Sequence, residues 1–160
     1  MQKVTVLCVG KLKEPFYIQA AGEYQKRLAR HCKLEIVELP EQRLGDDPSE
    51  AEIEQSLLKE AAMIGEKLPR GGMLIAMCVE GAELSSVQFA QKLQQFASRG
   101  ASQLTFLIGS SFGLHPSIKE AADLKLSVSP MTFPHHLFRV MLLEQLYRAY
   151  QIANGTKYHK

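Results

Sequence analysis

Residues Met73–Val79 read MLIAMCV, seven apolar side chains in a row. A strand with one face in water alternates apolar and polar residues, whereas a strand covered on both faces is apolar throughout. The run, taken as Gly72–Val79, therefore predicts a central strand of a parallel sheet, and the chain must supply helices to cover both its faces.

Strand and helix signals alternate along the whole chain. Lys3–Val9 is β-branched and apolar. Pro15–Arg30 reads as a helix, with proline near the first turn and Arg27 and Arg30 in the last. Lys33–Leu39 mixes Leu34, Ile36 and Leu39 with charges, as a half-exposed or edge strand does. Gly45, Asp46, Asp47 and Pro48 make Glu41–Ser49 a loop. Ser49 caps a helix running to about Lys67, and Glu52 completes a capping box. Ser85 or Ser86 caps a second helix to about Ser98. Gln103–Ile108 is a short apolar strand, Pro116–Asp123 a brief helix and Leu124–Val128 a last strand. His135–Ala153 is the closing helix, stopped by Asn154-Gly155. Five strands separated by helices give an α/β fold, a parallel sheet with helices on both faces. No repeat, low-complexity tract or linker interrupts it, so residues 1–160 are expected to form one domain.

Composition excludes several classes. Apolar residues make up 46% and charged residues 22%, as in ordinary globular chains. No apolar run approaches the roughly 20 residues of a membrane-spanning helix. The opening MQKVTVLCVG lacks the apolar core and cleavage site of a signal peptide, so a cytoplasmic location is expected. Cys8, Cys32 and Cys78 are scattered, with neither a C-x-x-C pair nor zinc spacing, which argues against a metal site or a disulfide framework.

The formal net charge of +2 conceals an asymmetry. Residues 1–33 carry Lys3, Lys11, Lys13, Lys26, Arg27, Arg30 and Lys33 against Glu14 and Glu23, a net of +5. Residues 34–60 carry nine acids against Arg43 and Lys59, a net of −7. From Met131 onward the net is +3. Basic ends around an acidic middle fit either a polyanion touched by one face or a contact between unlike patches of two subunits.

Ligands of open α/β sheets bind beyond the carboxyl ends of the strands. That rule singles out Gly10–Glu14, Glu80–Leu84, Gly109–His115 and Ser129–Pro134. Gly109-Ser110-Ser111-Phe112-Gly113 lets backbone approach a ligand closely, but it is neither the dinucleotide fingerprint nor a P-loop. It also matches G-x-S-x-G literally, which keeps open a hydrolase using Ser111. In Leu126–Pro134 two prolines stiffen the return to the last helix, either as a rigid ligand cradle or as a plain turn capped by Thr132. His135 and His136 open that helix, where the dipole favours neutral imidazole.

The closing helix is apolar almost all round, which suggests burial on two sides with a homodimer contact as the second cover. Glu144 and Arg148 form an i,i+4 pair. Arg139 and Arg148 are either paired or available for phosphate. The last residues, Lys157, Tyr158, His159 and Lys160, concentrate polar chemistry past the helix, as a ligand-touching tail or a solubilising one.

Four stretches carry a resemblance. They are Gly109-x-x-x-Gly113-Leu114, Leu126-Ser127-x-Ser129-x-Met131-Thr132-Phe133-Pro134-His135, Arg139-Val140-x-Leu142-x-Glu144-Gln145-Leu146-Tyr147-Arg148-Ala149, and Tyr158-His159-Lys160. With the opening Val9-Gly10-Lys11-Leu12-Lys13, they resemble the ribosomal RNA large subunit methyltransferase H family of the SPOUT superfamily, over the whole chain. The resemblance implies a C-terminal trefoil knot, a homodimer and S-adenosylmethionine as cofactor. It implies methylation of ring nitrogen 3 of a pseudouridine in 23S ribosomal RNA. The cofactor loops then fall on Met77, Gly109, Val128, Ser129, Pro130, Met131, Thr132 and Phe133. Tyr158 and His159 become catalytic residues of a tail that reaches the partner subunit's cofactor site. Arg139, Arg148, Lys157 and Lys160 become phosphate contacts on the RNA, and no metal is involved. A non-catalytic ribosome- or RNA-binding dimer of the same fold is the alternative. The chain departs from the family pattern at Cys78, where an acid is usual, and at Ser110, where a glycine is usual.

Overall fold

A computed structural model describes all of residues 1–160. The elements run β1 (Lys3–Val9), α1 (Pro15–Leu28), β2 (Lys33–Leu39), α2 (Glu50–Lys67), β3 (Met73–Glu83), α3 (Ser86–Ser98), β4 (Gln103–Ile108), α4 (Pro116–Ala121), β5 (Leu124–Ser127) and α5 (His135–Ala153). The strands form one parallel sheet in the order β2-β1-β4-β3-β5.

Alternation along the strands divides the core in two. Val4, Val6 and Cys8 of β1 face a cluster completed by α1, α3 and α5, while Leu7 and Val9 face Ile64 of α2 and Ile118 of α4. Helices therefore cover both faces, as the apolar run in β3 requires. β2 is the half-exposed edge strand that its mixed sequence predicts. Capping boxes open α2 at Ser49/Glu52 and α3 at Ser85/Gln88.

β3 and α4 end elsewhere than the sequence reading expects, while α5 spans His135–Ala153 as expected but is entered differently. β3 continues past Val79 to Glu83, because after an irregularity its tail pairs again with Leu126 and Ser127 of β5. Gly81 makes this possible: a Cβ there would lie 2.6 Å from the Leu126 nitrogen. α4 stops at Ala121, and Asp123 instead exchanges bonds with Leu74, its carboxylate accepting from the Leu74 N–H at 2.7 Å and its own N–H donating to the Leu74 carbonyl. α5 has Pro134 at its N-cap and no side-chain cap, so Thr132 is not the capping residue.

The all-round apolarity of α5 also has a different cause. The helix lies between α1 and α3, and from His135 to Ile152 every residue is buried or half-buried within the single chain. The single chain therefore supplies much of the cover, with Leu137, Phe138, Val140, Met141, Tyr147 and Tyr150 left half-buried. The exposed large apolar groups include Val79 in the second half of β3 and Phe112, Val128 and Met131 in the segments that follow β4 and β5. No helix is long and apolar enough to cross a membrane.

Candidate functional site

A cavity of about 640 Å³ opens at the carboxyl ends of β3, β4 and β5. Its walls are the β3 exit Met77–Glu80, the loop Gly109–Leu114, the β5 exit Leu126–Ser129, and Met131–His135 with Phe138. The chain reaches the last of these walls by crossing from the β5 edge to Gly10 at the end of β1, where the Arg139 guanidinium donates to the Gly10 carbonyl at 3.0 Å. Of the expected cofactor residues, Met77, Gly109, Val128, Ser129, Met131, Thr132 and Phe133 line the cavity.

Pro130 does not line it and is exposed. The turn around it is built by serines. Ser127 Oγ donates to the Ser129 carbonyl at 3.0 Å, and Ser129 Oγ accepts from the Met131 N–H at 2.9 Å. These bonds leave the pyrrolidine at the tip, facing away from the cavity.

The glycine loop is closed tightly. Gly113 has φ +84°, and its N–H donates to the Ser110 carbonyl at 2.9 Å. A Cβ on Gly109 would lie 2.2 Å from the Gly113 oxygen, so Gly109 must be glycine. Ser110 donates its hydroxyl to Glu60 at 3.0 Å, and Ser111 donates to Glu41 at 3.4 Å. The hydrolase reading fails here, because a serine nucleophile needs an imidazole beside its hydroxyl and Ser111 has a carboxylate.

His135 stands in the cavity wall at the start of α5. Burial first, then the neighbouring His136, hold its pKa below the ordinary histidine value, so the ring is neutral at pH 7. The sequence reading credited the helix dipole; burial is the larger cause. The Nε2 atoms of His135 and His136 are buried without a hydrogen-bond partner, while His136 Nδ1 meets the Glu14 carboxylate at 3.1 Å.

Arg139 is not a phosphate contact. It is 3% exposed, and its guanidinium donates to Glu38 at 2.6 Å and to the Gly10 carbonyl. Burial works to raise the Glu38 carboxyl, but bonds from Arg139 and the Leu12 N–H outweigh it and hold the pKa below the usual range. Arg148 is committed as well, to Glu144 at 2.7 Å. Its guanidinium lies 4.8 Å from the Tyr158 ring centre and donates to His159 Nδ1 at 3.2 Å. Arg148 thus anchors the tail to Glu144 in the single chain. Lys157 and Lys160 are exposed and outside any ion pair.

The tail lies back on its own helix. The Tyr158 ring packs edge-on to Tyr147 with centres 4.9 Å apart, and its hydroxyl donates to Glu144 at 3.2 Å. Burial, then Glu144, raise the phenol pKa, so Tyr158 remains a donor. No residue after Phe138 lines the cavity. Glu144 is nine residues beyond His135, about 13 Å along a helix axis. The structure brings the cofactor candidates together around a cavity that Tyr158 and His159 do not line, although Glu144, the partner of Tyr158, borders an adjoining pocket with Met77 and Val128.

Glu38, Glu41, Glu60 and the Glu80–Lys119 pair escaped the sequence reading. Glu80 supplies an acid at the cavity two residues after Cys78, where the expected acid is missing. One signal for Glu60 was present: it stands on the same stripe of α2 as Leu57 and Ile64, where an apolar residue belongs.

The family model described as "Predicted SPOUT methyltransferase" matches residues 2–159. The chain belongs to the SPOUT methyltransferase family. Among similar proteins, "Ribosomal RNA large subunit methyltransferase H 1" of Clostridium perfringens is 48% identical over 157 residues, covering 98% of this chain and 99% of the relative. "Ribosomal RNA large subunit methyltransferase H" of Acetivibrio thermocellus is 42% identical, covering 99% of both chains. A crystal structure described as a probable methyltransferase from Bordetella pertussis shares the fold with a TM-score of 0.58, at 13% identity, over 93% of this chain and 95% of that one. The match to the SPOUT methyltransferase family takes in the whole cavity and all of the tail but Lys160.

Proposed function

We propose that this protein is an S-adenosylmethionine-dependent methyltransferase that modifies ring nitrogen 3 of a pseudouridine in 23S ribosomal RNA, as a cytoplasmic homodimer. The observation that carries the reading is full-length identity of 48% to a ribosomal RNA large subunit methyltransferase H. The cavity fits the cofactor. Its volume of about 640 Å³ lies in the range of small-molecule sites. Ile108, Leu114, Leu126 and Phe138 offer apolar wall for an adenine ring, and the tight turns at Gly109–Gly113 and Ser127–Ser129 bring backbone polar groups to the edges. Met77, Gly109, Val128, Ser129, Met131, Thr132 and Phe133 would hold it.

Bound S-adenosylmethionine supplies a methyl group already activated on a sulfonium, so the chain's own work is binding, alignment and exclusion of water. The passage of Val128–Pro134 across the ends of β3 and β4 is read, on the family resemblance, as the threaded segment of a trefoil knot, a rarity among folds. Because the tail lies away from its own cavity, it serves the cavity of a second copy. The exposed Val79, Phe112, Val128 and Met131 give that copy an apolar rim to meet. Tyr158 then donates a hydrogen bond to the target base. His159 Nδ1, released from Arg148, accepts the proton of ring nitrogen 3. Lys157 and Lys160 contact phosphates.

The test is methyl transfer from labelled S-adenosylmethionine to unmethylated ribosomes, with the modified nucleoside identified by mass spectrometry. Methylated pseudouridine is the expected product. Cofactor binding with no transfer to ribosomes or free 23S RNA would favour the non-catalytic ribosome-binding alternative.

A further inference from the structure

Glu60 is the one acid in the chain that is buried, at 2% exposure. It sits on α2, outside the cavity lining. No cation pairs with it, and the charge that bears on it is another acid, Glu41. Burial raises its pKa. A buried carboxylate without a cation costs stability, and an apolar side chain would fill this inward position of α2 at lower cost. The packing therefore does not explain Glu60; its hydrogen bonds do.

Each carboxyl oxygen holds a different segment. Oε1 accepts from the Ser110 hydroxyl at 3.0 Å, and Oε2 accepts from the Gln42 N–H at 3.1 Å. Ser110 belongs to the glycine loop, whose shape has no slack because Gly109 abuts the Gly113 carbonyl. Ser110 lines the cavity while its hydroxyl is held by Glu60. Gln42 follows Glu41, whose carboxylate accepts from Ser111 and stands 3.8 Å from His135. One buried carboxyl on α2 thus reaches two cavity walls, the glycine loop directly and the His135 wall through Gln42 and Glu41.

We propose that Glu60 is a positioning residue for the cofactor site, holding the Gly109–Gly113 loop in its cofactor-accepting shape with the Ser110 hydroxyl as its handle. The inference rests on the cofactor reading above. It also accounts for Ser110, since a glycine there has no hydroxyl to offer.

Three measurements test it on the full chain: S-adenosylmethionine Kd by calorimetry, Tm, and amide hydrogen exchange of Ser110–Leu114 in the cofactor-free protein. Glu60→Leu should weaken the cofactor about tenfold, the effect of losing one charge-assisted bond. It should speed loop exchange by a similar factor, with Tm checking that the variant is folded. Ser110→Gly should weaken the cofactor similarly, and the double variant should be no worse than either single one. Unchanged Kd and exchange in folded Glu60→Leu, or fully additive effects, would overturn the proposal. If Glu60→Leu does not fold, Ser110→Gly with wild-type Kd and loop exchange overturns it by itself. Should the wild-type chain bind no S-adenosylmethionine, the cofactor reading fails, and loop exchange still decides whether Glu60 holds the loop.

Discussion

The two ends of α5 are held in opposite ways. At its start, Arg139 is buried and donates to Glu38 and the Gly10 carbonyl, tying the first turns to the carboxyl ends of β1 and β2. At its end, Tyr158 and His159 rest on Glu144, Tyr147 and Arg148 of the same helix, with Lys157 and Lys160 in solvent. Charge-assisted bonds from a buried arginine resist opening, whereas half-buried contacts local to one helix break and re-form at smaller cost. The cavity wall is therefore preformed and the tail is exchangeable. A tail that acts in a second subunit needs both properties.

Arg139→Ala attacks the fixed end and has the largest expected effect. It removes both long-range bonds and opens a void, so urea unfolding should show a loss of about 2–3 kcal/mol, with weaker cofactor binding alongside. A variant as stable as wild type would mean the helix start is not locked by this pair. Its salt dependence of RNA binding should match wild type, because the buried guanidinium reaches no phosphate.

Deleting Tyr158–Lys160 attacks the free end. Stability should shift by less than about 0.5 kcal/mol and cofactor Kd should hold, while methyl transfer falls about a hundredfold. A matching loss of stability would make the tail part of the fold and end the contrast. His159→Ala sharpens the same point: cofactor binding should persist with turnover down about tenfold or more, and unchanged turnover would remove His159 as the proton acceptor.

The fixed end should also carry a pH signature. His135 has a lowered pKa, chiefly through burial, against an unfolded value of about 6.5. Below that value the unfolded chain takes up a proton that the folded chain refuses, so stability is whole above about pH 6.5 and falls as pH drops through it. His135→Gln should flatten this window in urea titrations between about pH 8 and 5. A pH profile identical to wild type would separate His135 from the acid lability of this end.

The smallest effects belong to the tail lysines. Lys157→Ala and Lys160→Ala should each reduce the log–log salt slope of RNA binding by about 1, with little change in stability. Unchanged slopes would move the RNA contact elsewhere.

The sequence by itself determined the parts whose physics is local. The Ser49 capping box closes over three residues, the apolar run in β3 demands cover on both faces, and Gly109 and Gly113 mark a tight turn after a buried strand. Of these patterns, only the Gly109–Gly113 turn belongs to the stretches that carry the family resemblance. Only the tertiary structure decided where the charges go. Arg139 meets Glu38 across 101 positions, and Glu60 meets Gln42 and Ser110 across 18 and 50. A guanidinium offers the same fork to a phosphate or a carboxylate, and no neighbour in the chain tells which one arrives. The strand order β2-β1-β4-β3-β5 makes that choice, by placing the ends of β1 and β2 beside the start of α5 and the acidic middle of the chain against the glycine loop.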